Sequence, residues 1–296
     1  MPLKALLFLV LAGLLQALSN MWIKESQRKL AFMTVASLIP LIFCFPLFIW
    51  VHQKLGPAGP TEINFWSWMG IIACGSTAAI YYLFLGEAYD RDDLSVIFPV
   101  TRGFGPIFIL IFALILLEEQ ITVAGLLGIL ITVFGSYVIN LPSFKSSQLY
   151  VPFKAFKSKS FLYSMGAGAC TAAYSLINKK NLEKVDPFIL LYLIFAFMVL
   201  FLLLFVAAKN RTSQIKEEAK SNKRNLLLMG ILNFLASLLV LYALEIGKVS
   251  YVGAARNVSI VFGVLLGSFF LKEGYGKIRL IASLFIFGGI LLISVS

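Results

Sequence analysis

Apolar and polar positions along this chain alternate in blocks of about twenty residues, far longer than the period of a strand or of one helix turn. Ten apolar runs follow one another, at roughly 3–23, 31–51, 65–86, 94–117, 121–140, 161–178, 187–208, 226–246, 249–271 and 277–295. Each is near the ~20 residues that carry a helix across ~30 Å of hydrocarbon. Backbone groups in lipid must bond within their own segment, so the runs predict helices. The two-residue alternation of a membrane β-barrel is not seen. The first run, from Leu3, is too long for a signal peptide and is followed by NMWIKESQRK rather than a small-residue cleavage site, so it reads as a retained span. The longest polar breaks, 141–160 and 209–225, are too short to hold a soluble domain. Within the first, FKAFKSKSF reads either as a basic stretch lying on the membrane surface or as a solvated connector.

The ten runs divide into two similar fives. Arg102, Glu119 and Gly135 recur in the second half as Arg256, Glu273 and Gly289, in the same order and at the same spacing. GLLQALSNMWIK (13–24) stands beside GACTAAYSLINK (168–179), an offset of 155 that becomes 154 from the arginines onward. One shared offset across five runs points to duplication. Five is odd, so the second unit starts on the opposite side of the membrane. The expected fold is an all-α membrane protein of ten transmembrane helices arranged as two inverted five-helix repeats. Residues 1–140 form the N-terminal repeat, 141–160 a basic connector and 161–296 the C-terminal repeat.

Composition and charge sharpen this picture. The chain of 296 residues is 60% hydrophobic and 13% charged, with a mean hydropathy of +0.91. A soluble domain carries about 25% charged residues. The net charge of +11 would suggest nucleic acid in a soluble protein. Here the basic residues sit in short loops, where they set orientation and meet anionic lipid, so no nucleic-acid partner is expected. The side bearing loops 24–30, 87–93, 141–160, 209–225 and 272–279 carries 17 Lys and Arg, the other side 6, and the remaining two are Arg102 and Arg256. That bias places the richer side in the cytoplasm and both termini outside. Cys44, Cys74 and Cys170 lie inside apolar runs, and His52 is the only histidine. Neither disulfide nor metal is expected, and no cofactor is called for.

Arg102 and Arg256 are the residues that most need an explanation. Arg102 lies about 8 residues into its run, or roughly 12 Å deep, and Arg256 lies 7 into its own. A guanidinium does not deprotonate to escape the cost of hydrocarbon. It needs a wet cavity, an anionic partner or a substrate. Two readings stand. Either the pair lines a cavity and grips an anion, since guanidinium forks suit carboxylate and phosphate, or the pair is structural, bonded to Glu87, Glu118, Glu119, Glu245, Glu273 or backbone carbonyls.

Other polar residues gather on repeat-related runs. Gln16, Ser19 and Asn20 share about one turn of the first run, as do Thr171, Tyr174, Ser175 and Asn178 in the sixth. Tyr81, Tyr82, Asn233, Ser237 and Tyr242 stand in the third and eighth. Each serves either as interhelical glue or as cavity lining. The tyrosines have the further alternative of the interfacial aromatic belt, which suits Tyr242. Tyr81 and Tyr82 are about 100° apart on a helix, so at most one need face a cavity. Arg102, Arg256, Gln16, Asn20, Tyr82, Tyr174, Asn178 and Asn233 are therefore the candidate substrate-binding residues. No run has an acidic residue near its middle, so proton coupling would fall to Glu87 or Glu245. Pro106, in RGFGP, is expected to kink its helix, while the neighbouring glycines serve either close packing or a hinge.

The LSNMW segment of the first run and GPIFILIFALILLEE at the end of the fourth, set in a 5+5 duplication of a chain this long, resemble the drug/metabolite transporter superfamily, in particular its EamA type. That family places a proline in the fourth span, several helical turns ahead of a glutamate at the span's end, and Pro106 and Glu119 match. In the second half Glu273 is kept but Ile260 stands where the proline would be. The Trp-Gly that usually opens the first-span motif is replaced by Ala17 and Leu18. The resemblance implies a carrier that moves a small solute by alternating access through a central cavity. Some members have both termini in the cytoplasm, so orientation stays open.

The function expected is a secondary transporter of a small anionic or zwitterionic metabolite, such as an amino acid, an organic acid or a phosphorylated compound, and no enzyme. The protein would be a multi-pass protein of a bacterial inner membrane. Its partners would be the solute, the lipid bilayer, and a proton or counter-substrate if transport is coupled. Two alternatives remain open: a flippase for a lipid or lipid-linked sugar, and an intramembrane lipid-modifying enzyme for which EAYDRDD (87–93) is the only acidic cluster.

Overall fold

The structure is a computed structural model and describes residues 1–26, 28–55, 63–89, 91, 94–139, 141, 158–221, 223–271 and 277–296. Glu273 and most of the connector 141–160 lie outside these residues. The regular structure of the described residues is all helical. The first half comprises α1 (Leu3–Glu25), α2 (Lys29–Phe43), α3 (Phe45–Leu55), α4 (Phe65–Tyr89), α5 (Leu94–Leu116) and α6 (Val123–Val138). The second comprises α7 (Lys159–Asn181), α8 (Pro187–Ala208), α9 (Thr212–Ser221), α10 (Lys223–Ile246), α11 (Val249–Ala255), α12 (Val258–Leu271) and α13 (Lys277–Ser294). Each of the ten apolar runs becomes one helix or one broken helix. Helix α9 is the exception, a short polar helix within the loop 209–225.

Helix starts follow the chemistry of the chain. Ser158 Oγ accepts from Phe161 N at 3.2 Å to open α7. Asp186 Oδ1 accepts from Phe188 N at 2.9 Å and Ile189 N at 3.2 Å, with Pro187 in the first turn of α8, where its missing N–H costs nothing. Thr122 Oγ1 accepts from Gly125 N at 3.0 Å at the start of α6.

The second span is bent by 49° between α2 and α3. Pro46, with no N–H and a ring that crowds the carbonyl four residues back, accounts for a break at Cys44. The carbonyl of Leu41, at the bend, accepts from Tyr192 Oη of α8 at 2.9 Å. Its repeat mate α8 has no proline beyond Pro187 and runs unbroken. Helix α5 is continuous through Pro106, whereas the repeat-related span is interrupted at Arg256–Asn257, between α11 and α12.

The two halves are interleaved rather than side by side. Helix α1 packs on α10 and α12 of the other half, and α7 packs on α4 and α5. Helices α2 and α8 pair with each other, as do α6 and α13. Exchanging the halves leaves this set of contacts unchanged, as a pseudo-twofold axis requires. The glycines show it atom by atom. A Cβ on Gly13 would meet Val258 Cγ1 at 2.5 Å and Ser259 N at 3.1 Å, while one on Gly168 would meet Gly105 N at 3.2 Å and Phe104 Cβ at 3.4 Å. Gly135 lies against Ala282 and Ile286, and Gly289 against Gly128 and Thr132. These partners obey the offsets 155 and 154 read from the sequence. Small residues let the backbones approach closely where lipid offers no hydrophobic drive for association.

The outward faces are apolar. Ile42, Phe43, Trp66, Ile115, Leu116, Leu284 and Phe287 are all exposed, in a number that a water-soluble surface does not carry. Such faces suit lipid, and the molecule is an integral, multi-pass membrane protein.

Candidate functional site

Between the halves lies a cavity of about 460 Å³. Helices α1, α2, α4 and α10 line it from their halves nearer the loops 24–30, 87–93 and 209–225, through Gln16, Asn20, Lys29, Met33, Tyr81, Tyr82, Leu85, Met229, Asn233 and Ser237. Helices α5, α7 and α8 contribute from mid-span, through Arg102, Thr171, Tyr174, Ile194, Phe195 and Met198 among others. The cavity thus runs from the middle of the bundle towards the side with the larger basic count.

Towards the opposite end of the bundle, charged side chains complete helix ends. Glu119 accepts from Val249 N at 2.6 Å, Ser250 N at 3.2 Å and Ser250 Oγ at 2.6 Å, capping α11. Lys179 Nζ donates to the carbonyls of Leu244 at 2.7 Å, Gly247 at 2.9 Å and Glu245 at 3.2 Å at the end of α10. Here a cation meets the negative end of a helix. Tyr251 Oη lies 3.3 Å from both the amide nitrogen and Oγ1 of Thr122.

Both repeat-related arginines border the cavity. Arg256 makes no ion pair with any described carboxylate. Its electrostatic neighbours are Arg102, Tyr174 and Tyr81. Of the carboxylates weighed as its partners, Glu119 caps α11, Glu87 pairs with Arg91 at 2.8 Å on the surface, and Glu273 lies outside the described residues. The break at Arg256–Asn257 is tightened by bonds from Asn257 N to Ala254 O at 3.0 Å and from Ser259 N to Arg256 O at 3.2 Å.

Asn257, which the sequence reading did not single out, is 2% exposed and joins three helices. Its Nδ2 donates to Ser136 Oγ of α6 at 2.9 Å and to the carbonyl of Arg102 at 3.3 Å. That carbonyl has no helical donor, because the residue four positions on is Pro106. The signal was present in the chain, since a proline at mid-span orphans a carbonyl at i−4. The identity of the donor was not.

The other candidates divide. Gln16 Nε2 donates to Ser19 Oγ at 3.2 Å, Asn20 Oδ1 at 3.2 Å and Asn233 Oδ1 at 3.3 Å, and Asn233 Nδ2 donates to Tyr82 Oη at 3.4 Å. This chain of bonds links α1, α10 and α4, and all its members but the buried Ser19 line the cavity, so glue and lining are one arrangement. Tyr81 and Tyr82 both line the cavity, against the expectation that one would suffice, and Tyr174 lines it too. Asn178 does not. It lies fully buried one turn beyond Tyr174, where its Oδ1 accepts from Cys74 Sγ at 3.4 Å. One turn of α7 moves a side chain about 5.4 Å along the helix, which here takes it past the cavity floor. Glu87 and Glu245 also lie outside the lining. Glu87 is held by Arg91 at the end of α4, and Glu245 stands in the last turn of α10. The apolar lining from Met33, Met198, Met229 and Phe195 carried no signal within runs that are apolar throughout.

Comparison with known proteins agrees with this architecture. The EamA-like transporter family matches twice, over residues 3–141 and 158–295. A protein of Archaeoglobus fulgidus described as an uncharacterized transporter is 31% identical over 111 residues, which span 37% of this chain and about a third, 35%, of that relative's length. A solved crystal structure superposes over 100% of this chain and 98% of its own with a TM-score of 0.72, at 16% identity, a likeness of fold alone. With two matched repeats that together cover nearly the whole chain, this protein belongs to the EamA-like transporter family.

Proposed function

We propose that the protein is a secondary carrier of a small anionic metabolite, working by alternating access to the cavity between its halves. The observation that carries this reading is the placement of Arg102 and Arg256, on repeat-related helices, at one cavity whose described lining includes no carboxylate. A permanently charged guanidinium at mid-span is costly in hydrocarbon and tolerable beside water or an anion. The forks can take a carboxylate, a sulfonate or a phosphate in bidentate fashion. The phenols of Tyr81, Tyr82 and Tyr174 and the amides of Gln16, Asn20 and Asn233 can orient the rest of the solute. The inverted repeat supports a mechanism in which the two halves exchange conformations, closing the open face and opening the one where Glu119 and Lys179 bind helix ends. A carrier of this kind needs no catalytic group. Coupling, if it operates, runs through a counter-substrate or through groups outside the cavity, such as Glu87 and Glu245. A bacterial inner membrane with the basic loops in the cytoplasm fits the charge bias.

The test is efflux from vesicles loaded with a defined mixture of amino acids, organic acids and phosphorylated compounds, read by mass spectrometry. Anions should leave faster than from protein-free vesicles. Arg102→Ala and Arg256→Ala should abolish the difference while the protein remains monodisperse. Efflux confined to cations, or anion efflux unchanged in both variants, overturns the reading.

A further inference from the structure

The cavity has two chemically different sides because different helix pairs build them. Helices α5 and α12 pack on α7, α1 and the α6–α13 pair, whereas α2 and α8 pack on each other and on α4 and α10. Helices α5 and α12 make no extensive packing contact with α2 or α8, and the cavity is lined from both pairs. At mid-span the first presents Arg102 and Arg256 and the second presents Ile194, Phe195 and Met198, with Met33 beside them, while Lys29 lines the cavity from the first turn of α2, at the loop 24–30. Methionine is flexible and polarizable, and it shapes itself to apolar ligands of varied outline. The volume, about 460 Å³, falls in the range of ~300–1,000 Å³ found for sites of organic ligands. A bare phosphate or a short dicarboxylate would leave most of it, and all of the apolar side, to water.

We infer that the transported solute is an amphiphilic anion, with its acidic head between Arg102 and Arg256 and an apolar aryl or branched-alkyl body against the α2–α8 side. The inference rests on the anion-carrier reading proposed above and narrows it. An ammonium on the solute would find amide, phenol and hydroxyl oxygens but no carboxylate among the described lining residues, so a simple carboxylate fits better than a zwitterion. Uniform polarity would suit a hydrophilic metabolite. A charged side and an apolar one distinguish head from body and fix the direction in which the solute lies.

A native residue reports on occupancy. Cys170 lines the cavity, whereas Cys44 stands at the α2–α3 bend away from it. The purified, unsubstituted protein in detergent is treated with N-ethylmaleimide, and the rate at each cysteine is read by mass spectrometry. Saturating 3-phenylpropanoate should slow modification of Cys170 about tenfold, as occupancy near nine-tenths demands, and leave Cys44 unchanged. Succinate, inorganic phosphate and the uncharged 3-phenylpropanol should have little effect, and phenylalanine less effect than 3-phenylpropanoate. Arg256→Gln should remove the protection. Equal protection by succinate or phosphate overturns the amphiphilic solute and leaves the anion carrier standing. Stronger protection by phenylalanine overturns the preference for a simple carboxylate in the same way. Equal protection by 3-phenylpropanol overturns the anion grip itself. No protection by any compound overturns the proposal here, and the vesicle efflux then decides the broader reading independently.

Discussion

Pro106 has no amide hydrogen to give the carbonyl of Arg102, and Asn257 from the other half supplies one at 3.3 Å. The same side chain bonds Ser136 at 2.9 Å. Asn257 therefore ties the break beside Arg256 to the backbone of Arg102 and holds the two cations in register across the pseudo-twofold. Its repeat mate is Gly103, where a Cβ would meet nothing within 4 Å, so the clamp exists once. Replacing Asn257 by alanine strips the side-chain donor from a buried carbonyl, at a cost of about 1–3 kcal/mol. Replacing Pro106 by alanine restores a helical N–H to that carbonyl and makes part of the clamp dispensable. Asn257→Ala should thus lower the unfolding temperature, and Pro106→Ala/Asn257→Ala should recover part of the loss. Simple additivity in a thermal-unfolding cycle would contradict the assignment.

Helix packing in this molecule is decided by backbone approach more than by side-chain volume. Along α13, Gly288 and Gly289 are neighbours with opposite roles. A Cβ on Gly288 would meet nothing within 4 Å, whereas one on Gly289 would meet Thr132 Oγ1 at 2.3 Å, Gly128 O at 2.6 Å and Thr132 N at 2.8 Å. Two of those contacts are backbone atoms that cannot step aside. Gly288→Ala should be neutral or stabilise by up to ~1 kcal/mol through helix propensity. Gly289→Ala should destabilise by about 1–3 kcal/mol through overpacking. Differential scanning fluorimetry in detergent separates the two. The same contrast explains why α7 is the least apolar of the spans. Its hydroxyls bond back to their own helix, as Ser175 Oγ does to Thr171 O at 2.8 Å, while Tyr174 lines the cavity, Asn178 meets Cys74 of α4 and Lys179 reaches the end of α10.

For the whole molecule, the direction in which the cavity runs makes sidedness measurable. Most lining residues come from mid-span and from the face with 17 of the 25 basic residues, with Gly253 and Ile109 the deepest towards the other face, where Glu119 and Lys179 bind helix ends. A membrane-impermeant thiosulfonate should modify Cys170 from the basic face only. With the loops oriented by the usual excess of cytoplasmic Lys and Arg, inside-out vesicles react and right-side-out vesicles do not. The reverse pattern would place both termini in the cytoplasm, and equal reaction from both sides would contradict a cavity closed at one end.

Ten spans, their pairing into two repeats and the correspondence of Arg102 with Arg256 were determined by the sequence alone. Hydrocarbon leaves the backbone no partner but itself, so span length and apolar composition dictate helix, and an odd number of spans per repeat dictates inversion. The offset even foretold which glycines share an environment, because duplicated helices meet duplicated partners. Tertiary structure decided the rest. Helical periodicity places Asn178 on the same face as Tyr174, but only the depth of the cavity floor separates a lining residue from a buried one. Tyr81 and Tyr82 both face the opening because several helices, not one, surround it. Pro106 foretold an orphaned carbonyl, but Asn257 answers it from the other half of the chain, through the fold. Within apolar runs a methionine beside the cavity looks the same as one beside lipid. Which of them meets a solute depends on how helices from opposite halves cross, and that is a property of packing in three dimensions.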